Sequence, residues 1–217
     1  MADLFNIIFD FANKYCNIFL RLFRNKQTNH SYWKRLKMKS VYKACVKYFP
    51  SVWYVSNTLK ITFMYFQRQY EFVKSSRGVL LEYCKTLSNK DFLIENSTFG
   101  RGSVRNLLVH IGNTYEFWIG KQCLKKNIKF TEYNSVKNAT EAEGFFSSVD
   151  TLLEEFVNVY TEEHMIDIEI NINDKLITAS PLKLFTHVIT HEFHHKGQVL
   201  SLSRHLGYVP VDTDIMR

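Results

Sequence analysis

The residues with the clearest chemical potential lie near the end of the chain, in the run Thr186-His187-Val188-Ile189-Thr190-His191-Glu192-Phe193-His194-His195-Lys196-Gly197-Gln198. His191 and His195 are one helical turn apart, so on a helix both imidazoles project from one face and can converge on a divalent ion. A third ligand must come from elsewhere in the chain. His110 is the candidate, because it shares an apolar stripe with Leu107, Leu108 and Ile111. An imidazole facing a helical core needs a polar partner, either a hydrogen bond or a metal held with two further histidines.

The remaining histidines separate by geometry. His187 extends the stripe of His191 but lies about 12 Å along the axis from His195, too far to share one ion, and is read as core or as a residue behind the ligands. His194 is turned about 100° from His195 and reads as a polar rim residue. His164 and His205 read as surface positions. His191 to His195 also spells H-E-x-x-H, in which the glutamate of a zinc peptidase activates water. The downstream ligand of that class is missing: no Glu follows Glu192, Gln198 stands in place of the glycine, and Ser201 in place of the last histidine. Asp212 or Asp214 would serve only in a rarer variant of that site. Glu192 points about 100° away from His191, which favours a place behind the ligands or at the surface.

Positioning these groups requires helices, and the periodicity supplies them. Apolar residues fall at helical spacing from Phe63 to about Leu87, and Ser88-Asn89-Lys90-Asp91 reads as a break. After a loop at Gly100 to Gly102, Ser103 is a fitting N-cap for a helix through Val104, His110, Tyr115 and Ile119. A polar connection from Asn127 to Glu143 leads to a helix over about Phe145 to Glu162. Ile166 to Ile177 alternates around Asn173-Asp174, the signature of a short hairpin. The last helix is bounded by the N-cap Ser180, by Pro181 in the first turn and by Gly207 at the stop. Four main helices with one long connection make an all-α, antiparallel four-helix bundle the expected architecture.

Composition agrees with that class. A chain of 217 residues with 18 Phe and 12 Tyr, but only 8 Gly and 3 Pro, is poorly suited to a turn-rich β sandwich. Cys16, Cys45, Cys84 and Cys123 form no CxxC pair, which argues against a disulfide framework and for a reducing, cytoplasmic setting. Charge is uneven. Residues 1–60 hold 11 Lys and Arg against 2 acids, and residues 61–217 hold 17 against 19. The first 60 residues therefore read as a separate basic extension preceding a domain over 61–217. Asp10 and Lys14 interrupt its apolar start, against a membrane span, and no signal-peptide pattern is present. The basic, aromatic stretch around Trp33 to Lys39 reads either as a solvated extension or as an arm that contacts nucleic acid or an anionic membrane. A third alternative starts the functional product at Met64.

With these residues in hand, the segment from about 61 to 217 resembles the DinB/YfiT-like superfamily of damage-inducible-type proteins. The resemblance rests on Asn106-Leu107-Leu108-Val109-His110 followed by Glu116-Phe117-Trp118, on His191 and His195 followed by Lys196-Gly197-Gln198, and on the tail Leu206-Gly207-Tyr208-Val209-Pro210 to Asp214. It implies a four-helix bundle, often dimeric, with His110, His191 and His195 as ligands of a divalent metal. It implies no polymerase or nucleic-acid-binding activity for the bundle, and nothing about residues 1–60. Characterised members include thiol-dependent transferases and isomerases. Three neutral imidazoles leave an open position at which water or a thiol becomes a nucleophile near neutral pH. The expected function is thus a stress or detoxification S-transferase using a low-molecular-weight thiol on a small-molecule substrate, or a hydrolase using water. The competing classes are a non-enzymatic metal-binding or interaction protein and, more weakly, an H-E-x-x-H peptidase. Zinc suits the site best, with nickel, iron and others open. Glu192 and Gln198 are the candidates for supporting roles.

Overall fold

The structure, a computed structural model, describes residues 50–217 apart from 97, 99 and 161–165, with side chains from residue 65 onward. The basic arm before residue 50 and His164 lie outside the described residues. The chain divides into Met1–Val55 and Ser56–Arg217. Of the first unit, only the helical backbone from residue 50 is described, and the site lies wholly in the second.

The described chain is mostly helical with one two-stranded hairpin. The order is α1 (Pro50–Lys85), α2 (Asn89–Leu93), α3 (Val104–Tyr115), a π-helical continuation (Glu116–Cys123), a 3-10 turn (Tyr133–Ser135), α4 (Ala139–Tyr160), β1 (Ile168–Ile172), β2 (Lys175–Ala179) and α5 (Pro181–His205). Among the described residues, no helix is long and apolar enough to cross a membrane.

One apolar core joins α1, α3, α4 and α5. Alternating three- and four-residue steps place Phe66, Tyr70, Val73, Leu80 and Cys84 on the inner stripe of α1. They meet Leu107, Leu108 and Ile111 of α3, Val149, Leu153 and Phe156 of α4, and Phe185, Val188 and Val199 of α5. Phe66 packs edge-on against Phe185 at 4.8 Å and Phe156 at 5.8 Å. At Gly112 the Phe145 ring of α4 fills the space a Cβ would take, so α3 and α4 approach closely only because this residue is glycine.

The ends obey local chemistry. Ser103 and Ser180 cap α3 and α5 by accepting from the amides of Asn106 and Lys183, each cap being worth about 1 kcal/mol. Gly207 ends α5 at φ +92°. Asn173 and Asp174, at φ 50° and 62°, make the tight turn of the hairpin in which Ile172 faces Lys175.

Four boundaries differ from the periodicity, the first being the start of α1 at Pro50 rather than near Phe63. The stretch Ser88 to Asp91, read as a break, instead opens the short α2, with Ser88 capping Asp91. Helix α4 begins at Ala139, well before Phe145, inside the polar connection. There Asn138 accepts from the Glu141 amide at 2.9 Å while the Glu141 carboxylate reaches back to the Lys137 amide at 2.7 Å, a reciprocal cap that needs no apolar residue. The second helix does not run on as a regular α-helix to Ile119: past Tyr115 it widens into a π-helix through Cys123. The widened turns bring Gln122 against β1, where its amide accepts from the Asn171 N–H at 3.2 Å and donates to the Asn171 carbonyl at 2.9 Å. Lys125 adds a bond to the Glu169 carbonyl at 2.6 Å.

Candidate metal centre

Helices α3 and α5 bring His110, His191 and His195 together. One ring nitrogen from each lies within 4.8 Å of the others, and among the described residues no carboxylate joins the group. The ring centroids are 4.4 to 5.1 Å apart, edge to face. His110 and His191 are half-buried and His195 is buried. Their backbones are held by buried neighbours on the core sides of the same helices, Leu107 and Ile111 on α3 and Val188 and Val199 on α5.

Hydrogen bonding defines the protonation of the cluster. Gln198 Oε1 lies 2.7 Å from His195 Nδ1 and accepts its proton, which leaves Nε2 of His195 as a lone pair. The same Gln198 amide donates to His194 Nε2 at 3.2 Å, so one side chain bridges two imidazoles. His110 Nε2 sits 3.1 Å from His191 Nε2 and 3.2 Å from Nη2 of Arg101. A guanidinium only donates, so His110 Nε2 is an acceptor with a single in-plane lone pair and two neighbours competing for it.

All three imidazoles resist protonation. Burial pushes His110 down to about 4, helped by the charge of Arg101 and by His195 and His191. Burial does the same to His191, also to about 4, with His195 and His187 next in effect. Burial lowers His195, and its bond to Gln198 partly opposes that. Neutral imidazoles with convergent lone pairs are the form a metal requires. Two nitrogens on one tetrahedral zinc ion at about 2.0–2.1 Å stand roughly 3.3 Å apart. The 3.1 Å between His110 and His191 is close to that spacing, so the donor set fits a divalent ion.

His187 is exposed rather than core. Its ring meets Trp118 edge-on at 5.2 Å and lies 5.6 Å from His191. His194 and His205 are exposed, as their positions on the helix suggested.

Glu192 is neither at the surface nor beside the histidines. It is fully buried on a face of α5 about 100° around from His191, because that face packs against α1 and α3. One carboxylate oxygen accepts from Arg77 Nε at 3.1 Å and pairs with Lys196 Nζ at 3.2 Å. The other accepts from Arg77 Nη2 at 2.9 Å and from the Tyr115 hydroxyl at 2.6 Å. Burial alone would raise its pKa, but Arg77 and Lys196 outweigh it and hold Glu192 below the usual carboxylate range. A carboxylate so fully engaged cannot serve as the peptidase base, and the H-E-x-x-H reading is corrected on that ground.

Two residues of this region escaped the motif reading. Arg77 sits on the apolar stripe of α1 between Val73 and Leu80, and a cation there signals a buried acid opposite. Arg101 is framed by Gly100 and Gly102 immediately before the cap of α3, and only the fold shows its side chain returning to His110.

No curated protein matches the chain. The DinB family model matches residues 56–217, three-quarters of the sequence and the whole of the second unit, including His110, His191, His195 and Glu192. The chain therefore belongs to the DinB family.

Proposed function

We propose that this protein is a metal-dependent enzyme in which His110, His191 and His195 hold a divalent ion, zinc foremost, and act on a small molecule with a low-molecular-weight thiol or water as nucleophile. The observation that supports it best is the convergence of three neutral imidazoles within 4.8 Å, without a carboxylate among them. A divalent ion there supplies a Lewis acid that lowers the pKa of a coordinated thiol or water. The chain's own contribution is orientation. Gln198 sets the tautomer of His195, Leu107 and Ile111 fix the helix that presents His110, and Glu192 ties α5 to α1 from behind. The same reading takes α1, α3 with its wide continuation, α4 and α5 as a four-helix bundle, which their shared core supports.

A second reading, metal binding without turnover, rests on the same three imidazoles, which suit an ion whether or not a substrate follows it.

The test is metal content per chain for the parent and for His110→Ala, followed by thiol-dependent consumption of a small electrophile. Near-stoichiometric metal that collapses in the variant, with turnover that requires both metal and thiol, is the expected result. Metal without turnover for any thiol or water substrate supports the second reading. Equal metal in both proteins overturns the three-histidine site.

A further inference from the structure

The three-histidine site has a cationic neighbour that the motif does not include. Arg101 Nη2 lies 3.2 Å from His110 Nε2, the atom that also faces His191. The backbone that delivers it is firmly built. The Arg101 carbonyl accepts from the buried Asn106 side chain at 2.9 Å, and the Gly102 carbonyl accepts from the Asn96 amide at 2.6 Å. Gly102 stands at φ +82°, a conformation that favours glycine. The side chain itself is exposed, and among the described residues no carboxylate pairs with it. The nearest acid on its loop, Glu95, is engaged by Asn106 and by Arg105.

A guanidinium beside a cation site is unfavourable unless something negative joins them. The ligand set adds no negative charge, since it consists of neutral imidazoles and Glu192 is spent elsewhere. A metal ion and Arg101 also compete for one lone pair on His110. With that lone pair on an ion, the exposed planar fork of the guanidinium would be free beside the site, and its shape suits two oxygens of a carboxylate or phosphate.

We propose that Arg101 selects an anionic ligand for this site: a small molecule that reaches the metal through one end and offers a carboxylate or phosphate to the guanidinium. The inference rests on the three-histidine reading above and names the class of its thiol or substrate.

The test uses the full chain, freed of metal by chelation and reloaded with cobalt(II). Cobalt affinity is measured by competition with a chromophoric chelator, and thiol binding by the visible absorption of the cobalt form. The probes are mercaptoacetate, which carries a carboxylate, and 2-mercaptoethanol, which does not. The parent should prefer mercaptoacetate. Arg101→Gln should bind cobalt at least as tightly, having lost a competitor, while its preference for the acid falls roughly tenfold. Arg101→Lys should keep part of that preference as a point charge. An unchanged preference in Arg101→Gln overturns the proposal. So does a loss of cobalt affinity in that variant, which would mean that Arg101 only supports the loop. If the parent binds no cobalt, or His110→Ala binds it equally well, the three-histidine reading itself fails and takes the inference with it.

Discussion

Helix α5 presents two polar faces about 100° apart, and they have been finished differently. On the inner face Glu192 pairs with both Lys196 and Arg77, and Arg77 Nη1 continues to Asp150 at 2.7 Å. Tyr70 donates to Asp150 at 2.6 Å, Lys196 donates to Ser76 at 2.7 Å, and Ser76 donates to the Thr213 carbonyl of the tail. Arg77, Lys196 and Lys74, the last 3.0 Å from Asp150, face the two carboxylates of this network, and among the described residues no buried side-chain nitrogen or oxygen lacks a partner. On the outer face three imidazoles converge within 4.8 Å with no carboxylate among them. The first face is complete within the protein. The second has the donor set to take an ion. One helix is thus clamped by a charge network on one side and carries the candidate metal site on the other.

The comparison breaks most visibly at Arg77. Arg77→Met leaves Glu192 buried with only Lys196 and Tyr115, and should cost about 3–5 kcal/mol in urea unfolding. The fraction that stays folded should keep its metal. The opposite pattern is expected of His110→Ala: unfolding of the chelator-treated protein changes little, while metal affinity falls by roughly 100-fold or more, on the scale of lost ligand support. If both variants lost stability and metal together, the two faces would be one unit.

A smaller effect belongs to Asp150, at the outer end of the clamp. Burial would raise its pKa, but the charge of Arg77 and hydrogen bonds from Tyr70, Lys74 and Arg77 hold it below the usual carboxylate range. A folded value below the unfolded one stabilises the fold at neutral pH and stops doing so as pH falls through the folded value. Asp150→Asn should therefore cost about 2 kcal/mol at pH 7. The gap from the parent should begin to close only below about pH 4, near the unfolded carboxylate value. A gap that stayed constant down to pH 2 would assign the effect to shape rather than charge. Smallest is Gln198→Ala, which frees the tautomer of His195 and should weaken metal binding about tenfold with stability unchanged. Unaltered affinity would remove Gln198 from the site.

Much of this was legible in the residues. The i, i+4 pair His191 and His195 and the caps at Ser103 and Ser180 each follow from local spacing, and the structure places them accordingly. His110 does join the pair, but half-buried beside the exposed Arg101 rather than facing the core as its stripe suggested. The hairpin turn at Asn173-Asp174 was equally plain, because its two positive φ values suit those residue types. The start of α4 was hidden because its first turn is made by side-chain capping rather than by an apolar period. Glu192 was misplaced because helical phase gives the angle between two residues but not which side of the helix is inside. Its partner could have been found: Arg77 and Glu192 are opposite charges, each set on an apolar stripe, and burial of both is affordable only if they meet. Arg101 could not have been found, since its position depends on a loop folding back along α3.

The bonds from Gln122 and Lys125 to β1 have a consequence beyond docking the hairpin. A two-stranded ribbon has two bare edges, and a bare edge is a template on which a strand from another chain can add. Gln122 occupies both backbone groups of Asn171, and Lys125 takes the carbonyl of Glu169, two residues along the same edge. On that side the end of the π-helix and the turn after it impersonate a third strand with one amide and one amine, and growth of the sheet from molecule to molecule is blocked at β1.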